Sequence, residues 1–427
     1  MSTVIEQHPN LYKIVIAHYL IAAFTFLALV PMLLFSVKDF GGHYFQPHLL
    51  AITHTAALGW ASVIIFGACY QLLPVILETY LYSYKLAWFG LVVFCLGLLD
   101  FVYSFWVFEP GLHMQCGSVL LLTGITSFTA NIFITSKKIK KPDIYQDFIL
   151  TACIWLLVTA VLGVLMVFNF RFAFLPKDHL LFLKLHAHAG LGGWFLLLII
   201  GVSAKLLPMF LVSEKTNVNL LKWSYYLINS ALLLFFINTY IFGLNTFTFI
   251  IAVTAIVGVI CWLTYVYQCF ASRIRAKIDV AMAHTILSIF LLAIAIFVLP
   301  FIIFYQLKAD ALAVRLTTLY GSLLLLGWIS SLILGQTFKT LPFIVWTKRS
   351  QHLLGSKTTL PANLFDNKIL KGQFLSFLLF TVSFSIGLAL KIKPLIYLGV
   401  VCFSVTAVLY ISNVFIILFR TEENEPA

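Results

Sequence analysis

Histidine is the residue type in this chain whose placement most directly implies chemistry. Two apolar segments, HTAALGWASVIIFGACYQLLP from His54 to Pro74 and HAGLGGWFLLLIIGVSAKLLP from His188 to Pro208, align without a gap at an offset of 134 residues, and each starts with histidine. His186 stands two positions before His188, giving an H-x-H. Neutral imidazole is the usual nitrogen ligand of haem iron and of copper, and it costs far less to hold in hydrocarbon than a fixed charge. Histidine inside an apolar helix is therefore a candidate site residue. At matching points of two related helices, His54 and His188 are placed to face one another across a pocket, an arrangement suited to a six-coordinate haem. His186 and His188 lie about 200° apart around a helix of 3.6 residues per turn. They cannot grip one metal from one helix face and would serve two pockets.

The helices that carry them are part of a larger pattern. A third copy, SLLLLGWISSLILGQTFKTLP from Ser322 to Pro342, follows at the same offset, with Ser322 in the histidine column. Six columns are identical in all three: Gly59/Gly193/Gly327, Trp60/Trp194/Trp328, Ile65/Ile199/Ile333, Gly67/Gly201/Gly335, Leu73/Leu207/Leu341 and Pro74/Pro208/Pro342. With only 9 Trp and 13 Pro in 427 residues, apolar bias alone does not align these rare types, so one structural unit used three times is the simpler account. The glycines permit close helix approach, the prolines end or kink the helix, and the tryptophans read as packing.

A chain that is 62% hydrophobic and 10% charged, with mean hydropathy +1.03, cannot hide its apolar residues in a water-soluble core. Twelve segments are long enough to span a bilayer, near 11–37, 48–77, 85–108, 112–135, 148–171, 180–211, 221–243, 245–271, 280–305, 312–345, 370–392 and 394–419. The expectation is an all-α polytopic membrane bundle, a single membrane domain over 1–427, with three parallel pseudo-repeats of four spans at 11–137, 148–271 and 280–419. The first segment reads as a retained span rather than a signal peptide. Lys and Arg number 17 in termini and loops on the side of the N-terminus, including Lys137, Lys138, Lys140, Lys141, Arg273, Arg275 and Lys277, against 8 opposite. Both termini are thus expected in the cytoplasm. That asymmetry accounts for the net charge of +12, which argues against a nucleic-acid partner. The seven cysteines form no C-x-x-C, which excludes covalent c-type haem and leaves them as packing residues.

In this topology His43, His48, His54, His113, His179, His186 and His188 fall toward the outer face, and His8, His18, His284 and His352 toward the cytoplasm. His48, His113 and His179 are expected at similar depth and are candidates for a separate copper site, or are hydrogen-bonded interfacial residues. Lys205 and Lys339 sit three residues before the repeated proline, where they can snorkel to water, with Gln71 in that column of the first copy. Glu78, Asp100 and Glu109 fall near span ends.

The run LHAHAGLGGWFLLLIIGVSAKLLP, with its H-x-H, Gly-Trp and Pro, resembles the H-x-H helix of the haem-copper oxidase subunit I superfamily, closest in flavour to cytochrome-c-containing oxidases and nitric-oxide reductases. A related family of haem- and copper-carrying nitric-oxide-stress membrane proteins shares the likeness. Twelve spans in three groups also match, so the resemblance covers most of the chain. It implies non-covalent, b-type haem, with His54 and His188 as axial ligands of a low-spin haem and His186 as ligand of a second. It also implies an electron donor such as cytochrome c or quinol, association with other oxidase subunits, a bacterial inner membrane, and oxygen or nitric oxide chemistry. The departures are specific. The oxidase H-x-H lies on span ten, whereas here span ten offers Tyr320 and Ser322. No His-His pair occurs and no span carries H-x-x-x-Y, so the usual copper ligand set is missing. Two other classes compete: a carrier of an uncharged substrate, or an accessory protein that handles haem or copper during oxidase assembly or nitric-oxide stress. Charged residues are missing from mid-span, which argues against a carrier of ions or charged substrates.

Overall fold

The computed structural model describes residues 9–76, 79–138, 143–213, 216–274, 278–350 and 360–420. His8, His352, Glu78, Lys140, Lys141, Arg275 and Lys277 lie outside the described residues. Among the described residues, twelve helices are long and apolar enough to cross a membrane: α1 Leu11–Phe35, α2 Pro47–Leu72, α3 Tyr84–Val107, α4 Leu112–Ser136, α5 Ile144–Phe172, α6 His179–Leu211, α7 Val218–Phe242, α8 Phe247–Ala271, α9 Val280–Leu307, α10 Ala311–Arg349, α11 Asn367–Leu390 and α12 Lys393–Phe419. The chain is an all-helical integral membrane protein whose environment is a lipid bilayer. The reason is solvation: helices satisfy their backbone groups internally, as hydrocarbon requires.

Two compact units divide the chain. One holds Met1–Gln71, Ile278–Ala295 and Val314–Ala427; the other holds Leu72–Lys277 and Ile296–Ala313. The first therefore contains α1, most of α2, the start of α9, most of α10, α11 and α12. Its centre is aromatic, with Phe26 against Trp60 at a ring separation of 4.3 Å and Phe403 at 4.8 Å. The second contains α3 to α8, and Phe128 meets Trp194 edge-on at 6.0 Å. Trp60, Trp194 and Trp328 are all fully buried, as packing residues should be.

Three local structures recur. Each aligned helix opens into a π-helical stretch, at Thr55–Ser62, Ala189–Leu196 and Leu323–Ile329. From Thr55 to Ala189 and from Ala189 to Leu323 is the same step of 134 residues. In the first and third copies a hydroxyl serves a carbonyl five residues back, from Ser62 to Ala57 and from Ser330 to Leu325, both at 2.8 Å. The second recurrence is a glycine contact. A Cβ built on Gly67 would lie 2.5 Å from the Cβ of His18 and 3.5 Å from the Val15 carbonyl oxygen. On Gly201 it would lie 2.6 Å from the Phe148 Cβ and 3.4 Å from the Tyr145 oxygen, and on Gly335 2.7 Å from the His284 Cβ and 2.5 Å from the Ala281 oxygen. In all three the glycine sits over one residue and the carbonyl three positions before it.

The third recurrence is an amide clamp on the helix hairpins. The backbone of Ser83, at the N-cap of α3, donates to Asn131 Oδ1 at 3.2 Å and accepts from Asn131 Nδ2 at 2.8 Å. Asp366, the N-cap of α11, is held by Asn413 in the same way at 2.9 and 3.0 Å. Asn217, the N-cap of α7, donates its N–H to Gln268 Oε1 at 3.2 Å. Each clamp comes from the following helix and occupies a backbone group that a helix start would otherwise leave unmet. Close glycine contacts, such as Gly97 with Gly117, bring the α3–α4 pair together as small residues do in membranes.

Candidate functional site

His54 and His188 occupy the same place in their helices: each is the last α-helical residue before the π stretch. Each donates its Nδ1–H to the carbonyl four residues back, His54 to Leu50 and His188 to Lys184, both at 2.8 Å. A carbonyl can only accept, so the proton sits on Nδ1 and Nε2 carries the lone pair. This is the second-shell bond that orients a ligating imidazole. Both rings are half-buried. His54 belongs to the first unit and His188 to the second.

The H-x-H points two ways, as helix geometry requires. His186 Nδ1 donates to the Thr159 carbonyl of α5 at 2.9 Å, and Gly163 of the same helix leaves it room: a Cβ there would stand 3.2 Å from His186 Cε1. His188 turns instead to α7, its ring 4.4 Å from that of Phe235. Phe235 belongs to an apolar cluster with Leu185, Ala231 and Ile251. The two imidazoles thus serve separate surroundings within the second unit, each with Nδ1 committed to a backbone carbonyl. A haem ligand needs a neutral imidazole with a defined Nε2 and an apolar wall, and this donor set fits that need.

The remaining histidines keep local partners. His48, at the start of α2, makes a 2.6 Å bond from Nδ1 to Asp39 Oδ2, and Gln46 Nε2 donates to the Asp39 carbonyl. His113 is exposed and meets Asp100 at 3.3 Å. His179 stacks on Phe170 at 4.6 Å, with Asn169 Nδ2 3.4 Å from its Nδ1. Among the described residues no three side chains of His, Cys, Asp or Glu are grouped to hold a metal ion. His18 and His284, expected near the cytoplasm, are the most buried histidines described. They stand beneath Gly67 and Gly335.

Two features were not foreseen. Lys339, read as a snorkelling side chain, is paired with Asp279, and Lys205 lies over the ring of Tyr145 at 5.5 Å. The second half of α10 is also densely polar inside the bundle. Ser330 receives the Trp60 Nε1–H at 3.1 Å, and Ser331 donates to the His284 carbonyl at 2.8 Å. Gln336 donates to Thr285 Oγ1 at 2.8 Å, Thr337 lies 3.2 Å from the Tyr410 hydroxyl, and Thr340 lies 2.8 Å from that of Tyr19. The letters SS, QT and KT in an otherwise apolar run were the available signal.

No family model matches the chain, and no curated protein matches it.

Proposed function

We propose that this is a haem-binding membrane protein of respiratory electron transfer, acting in oxygen or nitric oxide chemistry, with His54 and His188 as axial ligands at the thresholds of the π stretches and His186 as ligand of a second haem. The observation that carries the reading is the matched pair: two histidines, each directly before a π stretch and each with Nδ1 on the carbonyl four residues back. π-helical turns widen the helix and concentrate at functional sites. Bound at these positions, haem would supply reversible one-electron chemistry. The chain's own part is to fix the imidazole tautomers and to surround the rings with apolar side chains. The likeness of the H-x-H helix to the haem-copper oxidase superfamily supports the same reading, and with it cytochrome c or quinol as the proposed electron donor.

The recurrent π stretch, glycine contact and amide clamp support three parallel pseudo-repeats of four helices, in which the third copy has replaced histidine by Ser322. The basic-residue bias supports a topology with both termini in the cytoplasm and, with it, the outward orientation proposed for the histidine-bearing helix ends.

The test is a reduced-minus-oxidised visible spectrum of the purified protein, with extraction to identify the chromophore. Low-spin haem bands are expected. His54→Ala and His188→Ala should each abolish them, whereas His186→Ala should leave them in place. A folded, colourless preparation refutes the proposal and leaves a carrier of an uncharged substrate as the better reading.

A further inference from the structure

The inner face of α10 carries more polar side chains than the matching faces of its two sister helices. The columns of Ser331, Gln336, Thr337 and Thr340 hold Val63, Ala68, Cys69 and Leu72 in the first copy and Leu197, Val202, Ser203 and Leu206 in the second. Yet this face is interior: Ser330, Ser331, His284 and Gln373 are wholly buried within the first unit. Hydroxyls and amides in that setting are costly unless every one is hydrogen-bonded.

They are not all hydrogen-bonded by protein. Gln373 of α11 brings Nε2 to 3.2 Å from His284 Nε2, while its Oε1 is buried with no partner. Turning the amide over does not solve this, because Oε1 would then face the imidazole and the two N–H donors would be stranded. Ser331 Oγ is already spent on the His284 carbonyl and stands 3.5 Å from Nδ1. Neither setting of the glutamine satisfies the cluster: as placed its Oε1 lacks a donor, and turned over its N–H groups lack an acceptor, so a partner able to do either would complete it. Water is the smallest molecule that does either.

Polar side chains extend from it toward one end of the bundle. Asp279, the residue before α9, has a side chain 35% exposed and pairs with Lys339. From Lys339 to Ser331 is eight residues of α10, about 12 Å at 1.5 Å per residue. Gln336 and its partner Thr285 lie between, and Thr285 is the neighbour of His284 in α9. We infer that α9, α10 and α11 enclose an exchangeable water site bounded by His284, Ser331 and Gln373, filled from the Asp279–Lys339 end of the bundle. This site is independent of any haem.

Radiolytic hydroxyl-radical footprinting of the full chain, read by mass spectrometry, tests this directly, because buried side chains are oxidised where bound water lies beside them. Phe148 provides the internal control: it stands under Gly201 as His284 stands under Gly335, and it is equally buried. His284 and Phe377 are expected to be oxidised several-fold more than Phe148. Premixing with 18O-labelled water should transfer the label to them. Oxidation at the Phe148 level, or no uptake of 18O, overturns the inference. Gln373→Leu should lower oxidation at Phe377 to the control level while Phe148 is unchanged. If that variant does not fold, Ser331→Ala is expected to reduce the same signal, and the wild-type comparison decides by itself.

Discussion

Two glycines of α10 offer a paired measurement of how tightly the repeated contact is built. A methyl group on Gly335 would sit 2.5 Å from the Ala281 carbonyl oxygen and 2.7 Å from the His284 Cβ, whereas one on Gly321 would meet nothing within 4 Å. Non-bonded carbons prefer about 3.5–4.0 Å. Gly335→Ala therefore requires α9 and α10 to separate by roughly 1 Å, and a gap of that size forfeits about a quarter to a half of each facing dispersion contact. Overpacking of this kind costs about 1–3 kcal/mol. Replacing a helical glycine by alanine returns roughly 1 kcal/mol of helix propensity, which is all that Gly321→Ala should show. The two variants should differ by about 1–3 kcal/mol, with Gly321→Ala at or above wild type and Gly335→Ala below it. Thermal unfolding of the detergent-solubilised chain, followed by intrinsic fluorescence, measures the order. Gly67→Ala and Gly201→Ala should fall beside Gly335→Ala, since each meets a Cβ at 2.5 or 2.6 Å. If Gly335→Ala melts no lower than Gly321→Ala, the close approach of these helices is not what the repeated glycines secure.

Other residues carry sharper single outcomes. Ser330→Ala strands the buried Trp60 Nε1–H and should cost about 1–3 kcal/mol; in a Trp60→Phe background the same change should cost less, which a double-mutant cycle on the melting curve resolves. Asn413→Leu removes both bonds to the backbone of Asp366 and should destabilise the chain by about 1–3 kcal/mol, with faster deuterium exchange at the first turn of α11. Gly163→Ala puts a methyl group 3.2 Å from His186 Cε1. On the haem reading it should perturb the chromophore bound by His186 and spare the low-spin bands, so an unchanged spectrum would detach His186 from haem.

Much of this architecture was legible as hydropathy. The expected spans near 85–108 and 180–211 are the helices Tyr84–Val107 and His179–Leu211, because a run of apolar residues long enough to cross hydrocarbon has little other use. The divergence of His186 and His188 was legible for a similar reason: two residues apart is a fixed angle on a helix, and the rings do turn to α5 and α7. The π stretches were not. Hydrogen-bond period leaves no trace in an all-apolar segment, where every face is acceptable to its surroundings. The pairing of Lys339 was hidden because its partner is remote in sequence: Asp279 comes sixty positions earlier, and only tertiary packing joins the two. The amide clamps were hidden likewise, since Asn131 and Asn413 are single letters in apolar helices whose targets are backbone groups far along the chain.

The π stretches also govern phasing. A segment that closes its rings with one extra residue per turn advances the chain without advancing its azimuth at the α-helical rate. The two ends of α2, and of α6, are therefore clocked differently from an uninterrupted helix. Returning Thr55–Ser62 to ordinary α geometry with every residue kept would swing the half bearing His54 by roughly 100° about the axis relative to the half bearing Gly67, whereas deleting one residue from the stretch as well should cancel most of that swing. The direction in which each imidazole faces, relative to the far half of its helix, is thus written in the hydrogen-bond period of the stretch that follows it.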